Sequence, residues 1–442
     1  MLYDKLKDNR RIPFHMPGHK RNTTLLGSNF PYNIDITEIE GFDNLHSPEG
    51  LIKNIENKAK KIYNSDNSFL LVNGSTVGVL AGIATVLKRG DTALIARNCH
   101  KSVYNAIELI GGEVEYILPD TDEYGIFKCI DNSILELKIP QIKPKLIVVT
   151  SPTYEGVNSD IKGICDIAHK YNIPVLVDAA HGAHITGYVK YADITIMSLH
   201  KTLPALTQCA LAHINGNLVS AEVFRIKLSV FETSSPSYVL MASIENCLDF
   251  MVKNVKLFGK FAEEKSKLKN NLSDLKYLKA VEYDDITKLV VFTGYSNISG
   301  IELADILRNE YNIEVEMACK DYVVLIFSVC DSFVNYKTLE NALKDIDSSL
   351  YFSEFDNCLS YELPKKTCNF NIANKELIDF KNSKDRVCAE FIWAYPPGIP
   401  LLTPGEVITQ SEIDYILNQI KSNVNIQSTR NKLPENIYVK CL

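Results

Sequence analysis

The sequence is expected to fold as an α/β protein with a mainly parallel central sheet and a C-terminal α/β domain. Three observations carry this. From about residue 67 to 215, short apolar runs that read as buried strands alternate with helical patterns, and that alternation builds a parallel sheet covered on both faces. Two of the runs deliver polar groups as they end: Asp178 follows Val175–Val177, and Ser198, His200 and Lys201 follow Ile194–Met197. Open α/β sheets bind ligands in the crevice outside the carboxyl ends of their strands. Finally, 442 residues are too many for one hydrophobic core, so two or more domains are expected.

Composition narrows the function classes. With 46% hydrophobic and 23% charged residues the chain is an ordinary globular one rather than a disordered one. The net charge of −7 is spread along the sequence and leaves no basic face for nucleic acid. Eleven cysteines occur without a CxxC pair. They read as thiols of a reducing compartment, which implies the cytoplasm, and no metal site is expected. The N-terminus lacks the apolar region of a secretory signal. The longest uncharged stretch, Asn67–Leu87, contains Asn, Ser, Thr and several Gly, and reads as a strand plus a helix rather than a membrane span.

Residues 1–66 are expected to be an irregular arm and linker, because Pro13–Lys20 (P-F-H-M-P-G-H-K) and Asp43–Gly50 are dense in Pro, Gly and Asn. The arm is either a surface segment or one that reaches across a dimer. Phe69–Val72 is the first strand. Ser75 or Thr76 then caps a helix running to about Leu87, with Gly74, Gly78 and Gly82 on one side for close packing on the sheet. A helix start of this kind is an ordinary cap or an anion site. Asp91–Ala96, Glu113–Leu118 and Lys145–Thr150 are further strands, and His100 stands just beyond the first of them. The turn S-P-T-Y-E-G lies at the same edge. A helix over Asn158–Tyr171 buries Ile161, Ile164, Ile167 and Ala168, and Pro174 ends it.

Thr233–Tyr238 (T-S-S-P-S-Y) closes the first domain, expected at 67–238. A helical pattern over Val239–Leu272 bridges, at 239–275, to the C-terminal α/β domain at 276–442. Strands are expected there at Lys288–Thr293 and Tyr322–Val329, helices at Ile301–Glu310 and Leu339–Ser349, and a loop at Asn357–Lys366. The Pro-rich run Tyr395–Glu406 is constrained, ends on a carboxylate, and is expected to hold something in place.

A lysine and an acid brought to one crevice suit pyridoxal phosphate, which needs an amine for its aldehyde and a carboxylate to keep its ring nitrogen protonated. Lys201 and Asp178 are the candidates; the bland alternative is a solvated rim lysine and a strand-end cap. Ser198 and His200 beside the lysine add phosphate-type donors, while His181 and His184 crowd the acid.

In order along the chain, H-M-P-G-H-K, N-G-S-T, H-K-S, D-x-A-H-G-A-H, S-x-H-K-T-L-P-A-L-T, T-S-S-P-S-Y and Y-P-P-G-I-P-L-L-x-P-G-E together resemble the bacterial Orn/Lys/Arg decarboxylase family, of the fold type I, aspartate-aminotransferase-like pyridoxal-phosphate enzymes. The resemblance spans about Pro13 to Glu406. It implies α-decarboxylation of arginine, lysine or ornithine to the corresponding diamine or polyamine and CO2. It also implies a homodimer, or dimer of dimers, with the site at the interface. By this resemblance Lys201 binds the cofactor covalently, Asp178 meets the ring nitrogen and His100 stacks on the ring. Ser75, Thr76, Ser198 and His200 match phosphate-binding positions, and His181 the histidine that follows the acid. Thr233, Ser234 and Ser235 match a segment approaching the phosphate, from the partner if the site is shared. Glu406 matches a carboxylate near the substrate's distal cation; otherwise it caps a following helix.

Three departures stand out. Ala179 replaces the acidic residue many relatives carry after the aspartate, and Leu199 removes a hydroxyl found in S-T-H-K. The extra N-terminal domain of the larger relatives is not expected. Two rival readings are an aminotransferase or lyase on the same scaffold, and a pyridoxal-phosphate-binding regulator. The first needs a carboxylate-gripping arginine, and Arg386, the arginine nearest the Pro-rich loop, lies in a segment unlike that motif.

Overall fold

The computed structural model describes residues 1–355, 366–367, 370, 372–395, 398–430, 433 and 435–442. All but the last residue of the loop expected at Asn357–Lys366 lies outside them, as do two prolines of the 395–406 run.

The arm is more regular than its Pro and Gly content suggests. It holds α1 (Leu2–Asp8), α2 (Thr23–Leu26) and α3 (Leu51–Tyr63). In α3 the residues Ile52, Ile55, Ala59 and Tyr63 recur three or four apart and are buried. The turn signals around them hid a helical period. Leu2 and Leu6 of α1 are also buried, and the Leu2 N–H donates to Glu245 at 2.6 Å.

The chain then builds β1 (Asn67–Leu71), α4 (Ser75–Val86), β2 (Thr92–Ala96), α5 (Lys101–Ile110), β3 (Glu113–Ile117), α6 (Asn132–Ile142) and β4 (Leu146–Thr150). It continues with α7 (Ile161–His169), β5 (Val175–Asp178), β6 (Ile194–Ser198), α8 (Leu199–Thr202), β7 (Ala210–Ile214) and α9 (Ala221–Phe231). In the main sheet β1, β7, β6, β5, β4, β2 and β3 lie side by side. The pairs from β6 to β3 are parallel; β7 runs antiparallel to both β6 and β1. The strands are apolar because both faces are covered, and residues 146–149, 175–177 and 194–197 are all buried.

Chain order reverses between β4 and β2, which opens a crevice at the carboxyl ends of these strands. Helix α4 lies tight on the sheet below it. A Cβ added to Gly78 would come within 2.7 Å of Leu71, and one on Gly82 within 2.7 Å of Leu176. Gly74 does something else: it has φ +79° and precedes the helix as its N-cap. Ser75 is therefore the first helical residue rather than the cap, and its side chain makes no capping bond.

The expected single bridge is two helices, α10 (Tyr238–Lys253) and α11 (Val255–Asn271), broken at Asn254. Residues expected as one C-terminal unit form two cores. The first contains the antiparallel sheet of β8 (Lys279–Val281), β9 (Lys288–Phe292), β10 (Met317–Ala318) and β11 (Tyr322–Ile326) with α12 (Gly300–Tyr311) and α13 (Phe333–Ser349). The second gathers Phe380, Ile392, Leu402, Ile408, Ile413 and Ile437. The nine cysteines among the described residues are free thiols. No helix among the described residues is long and apolar enough to cross a membrane.

Candidate active site

A cavity of about 540 Å3 opens at the carboxyl ends of β2, β4, β5 and β6. Each strand contributes as it ends. His100 follows β2, Thr150 closes β4, Asp178 closes β5, and Ser198 closes β6 one turn before Lys201 in α8. Ser75 and Thr76 face the same cavity from the first turn of α4. Eight of the twelve residues singled out from the sequence thus share one wall: Ser75, Thr76, His100, Asp178, His181, Ser198, His200 and Lys201.

Burial sets the charge state of the groups. Asp178 is 4% exposed. Burial raises its pKa, while the Lys201 ammonium and the Ala180 N–H, donating at 3.2 Å, pull it down. Burial lowers Lys201, and the charges of Asp178 and Glu316 oppose that shift. Its amine lies 2.8 Å from His181 Nε2. Burial drives His181 well below the usual imidazole range, and the ammonium groups of Lys201 and Lys288 add to the effect. His181 is therefore neutral, with Nε2 free to accept from the Lys201 ammonium.

His100 is pushed down to about 4, first by burial and then by Lys201 and Lys101. Its Nδ1 accepts the Ser102 N–H at 3.2 Å, which caps α5 and fixes the ring. His200 Nδ1 sits 3.0 Å from the Cys209 carbonyl and so carries the proton there, leaving Nε2 as an acceptor in its neutral form.

Several buried polar atoms have no partner among the described residues. Ser198 Oγ and His181 Nδ1 are two of them in the cavity wall. Such atoms cost about 1–3 kcal/mol each when unpaired, so the cavity is built to receive a polar group. The residues fit pyridoxal phosphate: an amine, a buried carboxylate awaiting a cation, an imidazole fixed by a helix cap, and hydroxyls at a helix N-terminus.

Four candidates stand elsewhere. Thr233, Ser234 and Ser235 follow α9 outside the cavity wall, and the last two are exposed. The Thr233 N–H donates to Asn73 Oδ1 at 3.1 Å, and its carbonyl pairs with His46 Nε2 at 2.9 Å. Glu406 also lies apart from the other candidates. It is 1% exposed, absent from the cavity wall, and 3.5 Å from the equally buried Arg97 guanidinium. Thr403 N–H donates to it at 2.7 Å. A carboxylate so enclosed holds the Pro-rich strand against β2 rather than meeting a substrate's tail; Arg97 also donates to the carbonyls of Pro400 and Leu401, at 2.6 and 3.1 Å. Glu406→Gln should therefore lower stability by about 1–3 kcal/mol, the cost of weakening a buried charged hydrogen bond. Chemical denaturation of the loaded enzyme checks this, with the Michaelis constant for substrate expected to hold steady.

The sequence reading missed Asn98, Tyr154, Glu155, Gln208 and Glu316 in the wall. Tyr154 and Glu155 belong to the S-P-T-Y-E-G turn, which was placed at the correct edge but given no role. The Tyr154 ring lies 4.5 Å from that of His181 and 5.6 Å from Lys201 Nζ. Glu316 comes from the C-terminal unit, just before β10, and no periodicity links it to a strand end in another domain.

Comparison with known proteins agrees with this geometry. The family model "Orn/Lys/Arg decarboxylase, major domain" matches residues 2–297, and "Orn/Lys/Arg decarboxylase, C-terminal domain" matches 353–426. The chain is 33% identical to a Bacillus subtilis arginine decarboxylase over 470 aligned residues, covering 96% of this chain and 94% of that protein. Its fold is similar to that of the Francisella novicida lysine decarboxylase, with a TM-score of 0.85, 19% identity, and coverage of 99% and 80% of the two chains. It is also similar to an alanine–glyoxylate aminotransferase from Nostoc sp., with a TM-score of 0.57, 16% identity, and coverage of 67% and 86%.

Proposed function

The chain belongs to the Orn/Lys/Arg decarboxylase family, and from that premise we propose that it uses pyridoxal phosphate to remove the α-carboxylate of arginine, lysine or ornithine. The observation that carries the reading is the meeting of the Lys201 amine and the buried Asp178 carboxylate in one cavity at two neighbouring strand ends.

Bound pyridoxal phosphate supplies a ring that accepts the electron pair left at Cα when the carboxylate departs. The chain's residues hold and bias that chemistry. Lys201 provides the amine for covalent attachment, and burial increases its neutral, nucleophilic fraction. Asp178 holds the proton on the ring nitrogen; a positive partner relieves the cost of its burial. His100, fixed by its bond to Ser102, would pack against the ring. Ser75, Thr76, Ser198 and the N–H groups opening α4 hold the phosphate, with His200 beside them. Lys201 is also the amine available to move a proton at Cα, with His181 Nε2 its neighbour at 2.8 Å. Residues that hold the substrate's tail would fix its orientation at the reacting end, so positioning would select decarboxylation over other outcomes.

A homodimer in the cytoplasm belongs to the same reading. Val223, Ile226 and Val230 form an exposed apolar stripe along α9, directly before Thr233–Ser235. A second copy on that stripe would cover it and bring those hydroxyls to an interface. Ile226→Glu is expected to convert the dimer to monomer in sedimentation, with activity falling in parallel. Removal of residues 1–20 is a poorer test of the arm, because it would strip Leu2 and Leu6 from the core.

Carbon dioxide release measured with arginine, lysine and ornithine on the purified holoenzyme tests the function. Turnover of at least one is expected. No release from any of them, with transamination of the same amino acids, would replace the reading with the aminotransferase.

A further inference from the structure

Resting on the decarboxylase reading, we propose that Glu316 recognises the distal cation of the substrate and sets the preference for basic amino acids. The displacement of Glu406 into a buried ion pair leaves that role open. The described cavity wall contains three carboxylates: Asp178, Glu155 and Glu316. Asp178 is buried, feels the charge of Lys201, and on the proposed reading would be taken by the cofactor ring. Glu155 is 5% exposed, burial raises its pKa, and the Tyr322 hydroxyl donates to it at 3.0 Å. It is shielded and already bonded.

Glu316 alone of the three is exposed to the cavity mouth. The Tyr154 hydroxyl donates to Glu316 Oε1 and fixes it. The same tyrosine lays its ring 5.6 Å from Lys201 Nζ. One side chain therefore spans from the amine at the reacting end to the carboxylate at the mouth. An extended aliphatic tail running along the Tyr154 ring from Lys201 would end with its cation at Glu316. Glu316, just before β10, is anchored to β11 by its N–H donating to the Val324 carbonyl at 3.0 Å. The recognising charge is thus held by the small antiparallel sheet, and the reacting groups by the large parallel one.

The cations of the wall do not compete for it. Lys101 lies 4.7 Å from the Trp393 ring and 5.3 Å from that of Tyr395, and Lys201 is engaged with His181. A guanidinium or ammonium at Glu316 would gain a charge-assisted hydrogen bond, which a neutral tail would not. Glu316 is a specificity-determining residue; the bond changes at Cα do not involve it.

Glu316→Gln tests this, since glutamine keeps an oxygen for the Tyr154 hydroxyl and removes only the charge. The holoenzyme is assayed for CO2 release with its best basic substrate. Its affinity for two ligands that undergo no reaction is also measured: the amine product of that substrate, and an alkylamine of equal length lacking the second cation. The wild type should bind the dicationic product more tightly. In the variant, the Michaelis constant for the basic amino acid should rise about 10–100-fold, the scale of one hydrogen bond to a charged group. The product's advantage over the alkylamine should shrink by a similar factor, while maximal turnover and cofactor absorbance stay near wild type. An unchanged product-to-alkylamine ratio in an active variant would overturn the role of Glu316. A wild type that decarboxylates no basic amino acid would overturn the functional reading instead, and with it this inference.

Discussion

Lys201→Ala is expected to abolish decarboxylation and to leave the cofactor bound only by noncovalent contacts. Among the described cavity residues the amines are those of Lys101 and Lys201. Lys101 is held against Trp393 and Tyr395. Lys201 instead sits beside His181, and burial lowers its pKa. Burial favours the neutral amine that attacks a carbonyl, and His181 Nε2 orients it. The measurement is borohydride treatment of wild type and variant, each incubated with pyridoxal phosphate, followed by peptide mass analysis. Wild type should carry the reduced cofactor on the peptide containing Lys201. The variant should carry none there, and its activity should fall to background. A variant labelled at Lys101 and still active would move the role to that residue.

Asp178→Asn should bind pyridoxal phosphate yet slow turnover by about 3–4 kcal/mol, the scale of losing one preorganised electrostatic group in a closed site. The geometry says why the loss should fall on turnover rather than folding. Asn keeps the shape, and its oxygen can still accept the Ala180 N–H that Asp178 accepts at 3.2 Å. What it lacks is the charge, which burial opposes and which therefore exists to be neutralised by a cation in the cavity. The folded protein should, if anything, be slightly more stable without it. Rapid mixing under single-turnover conditions separates the chemical step from binding. A slow step with unchanged substrate affinity is expected; normal turnover would remove Asp178 from the ring nitrogen.

What could be read from the sequence divides along physical lines. Strand ends were legible because a fully buried parallel strand is a continuous apolar run, and the first polar residue after it marks the sheet edge. Asp178 and Ser198 were found in that way, and both lie at the cavity. Helix α3 was missed although Ile52, Ile55, Ala59 and Tyr63 kept its period, because the turn residues of 43–50 were given the whole neighbourhood. A cap at Ser75 or Thr76 puts the start of α4 one or two residues late: Gly74, with no side chain to signal a cap, is the N-cap.

Two failures are of another kind. Tyr154 and Glu316 reach the cavity from a turn and from a second domain, so their adjacency is created only by tertiary packing. Glu406 differs in the other direction. A carboxylate at the end of a rigid loop suggested a ligand, but Arg97, just beyond the last residue of β2, claims it. A motif shows that a residue matters without showing which neighbour it serves.

The antiparallel pairing of β7 with β1 has a consequence for how the chain is made. Asn67 pairs with Ile214, so the first strand of the sheet to leave the ribosome lies beside the seventh of its eight strands. Until β7 emerges, the apolar run Phe69–Leu71 has no neighbour on that edge, and the nascent domain carries an unpaired strand. Closure of so long a loop must come before the pairing that rewards it, which makes folding slow. Fragments that end before Ala210 would expose the same edge permanently, so expression of the large domain should include residues through Ile214 to avoid aggregation.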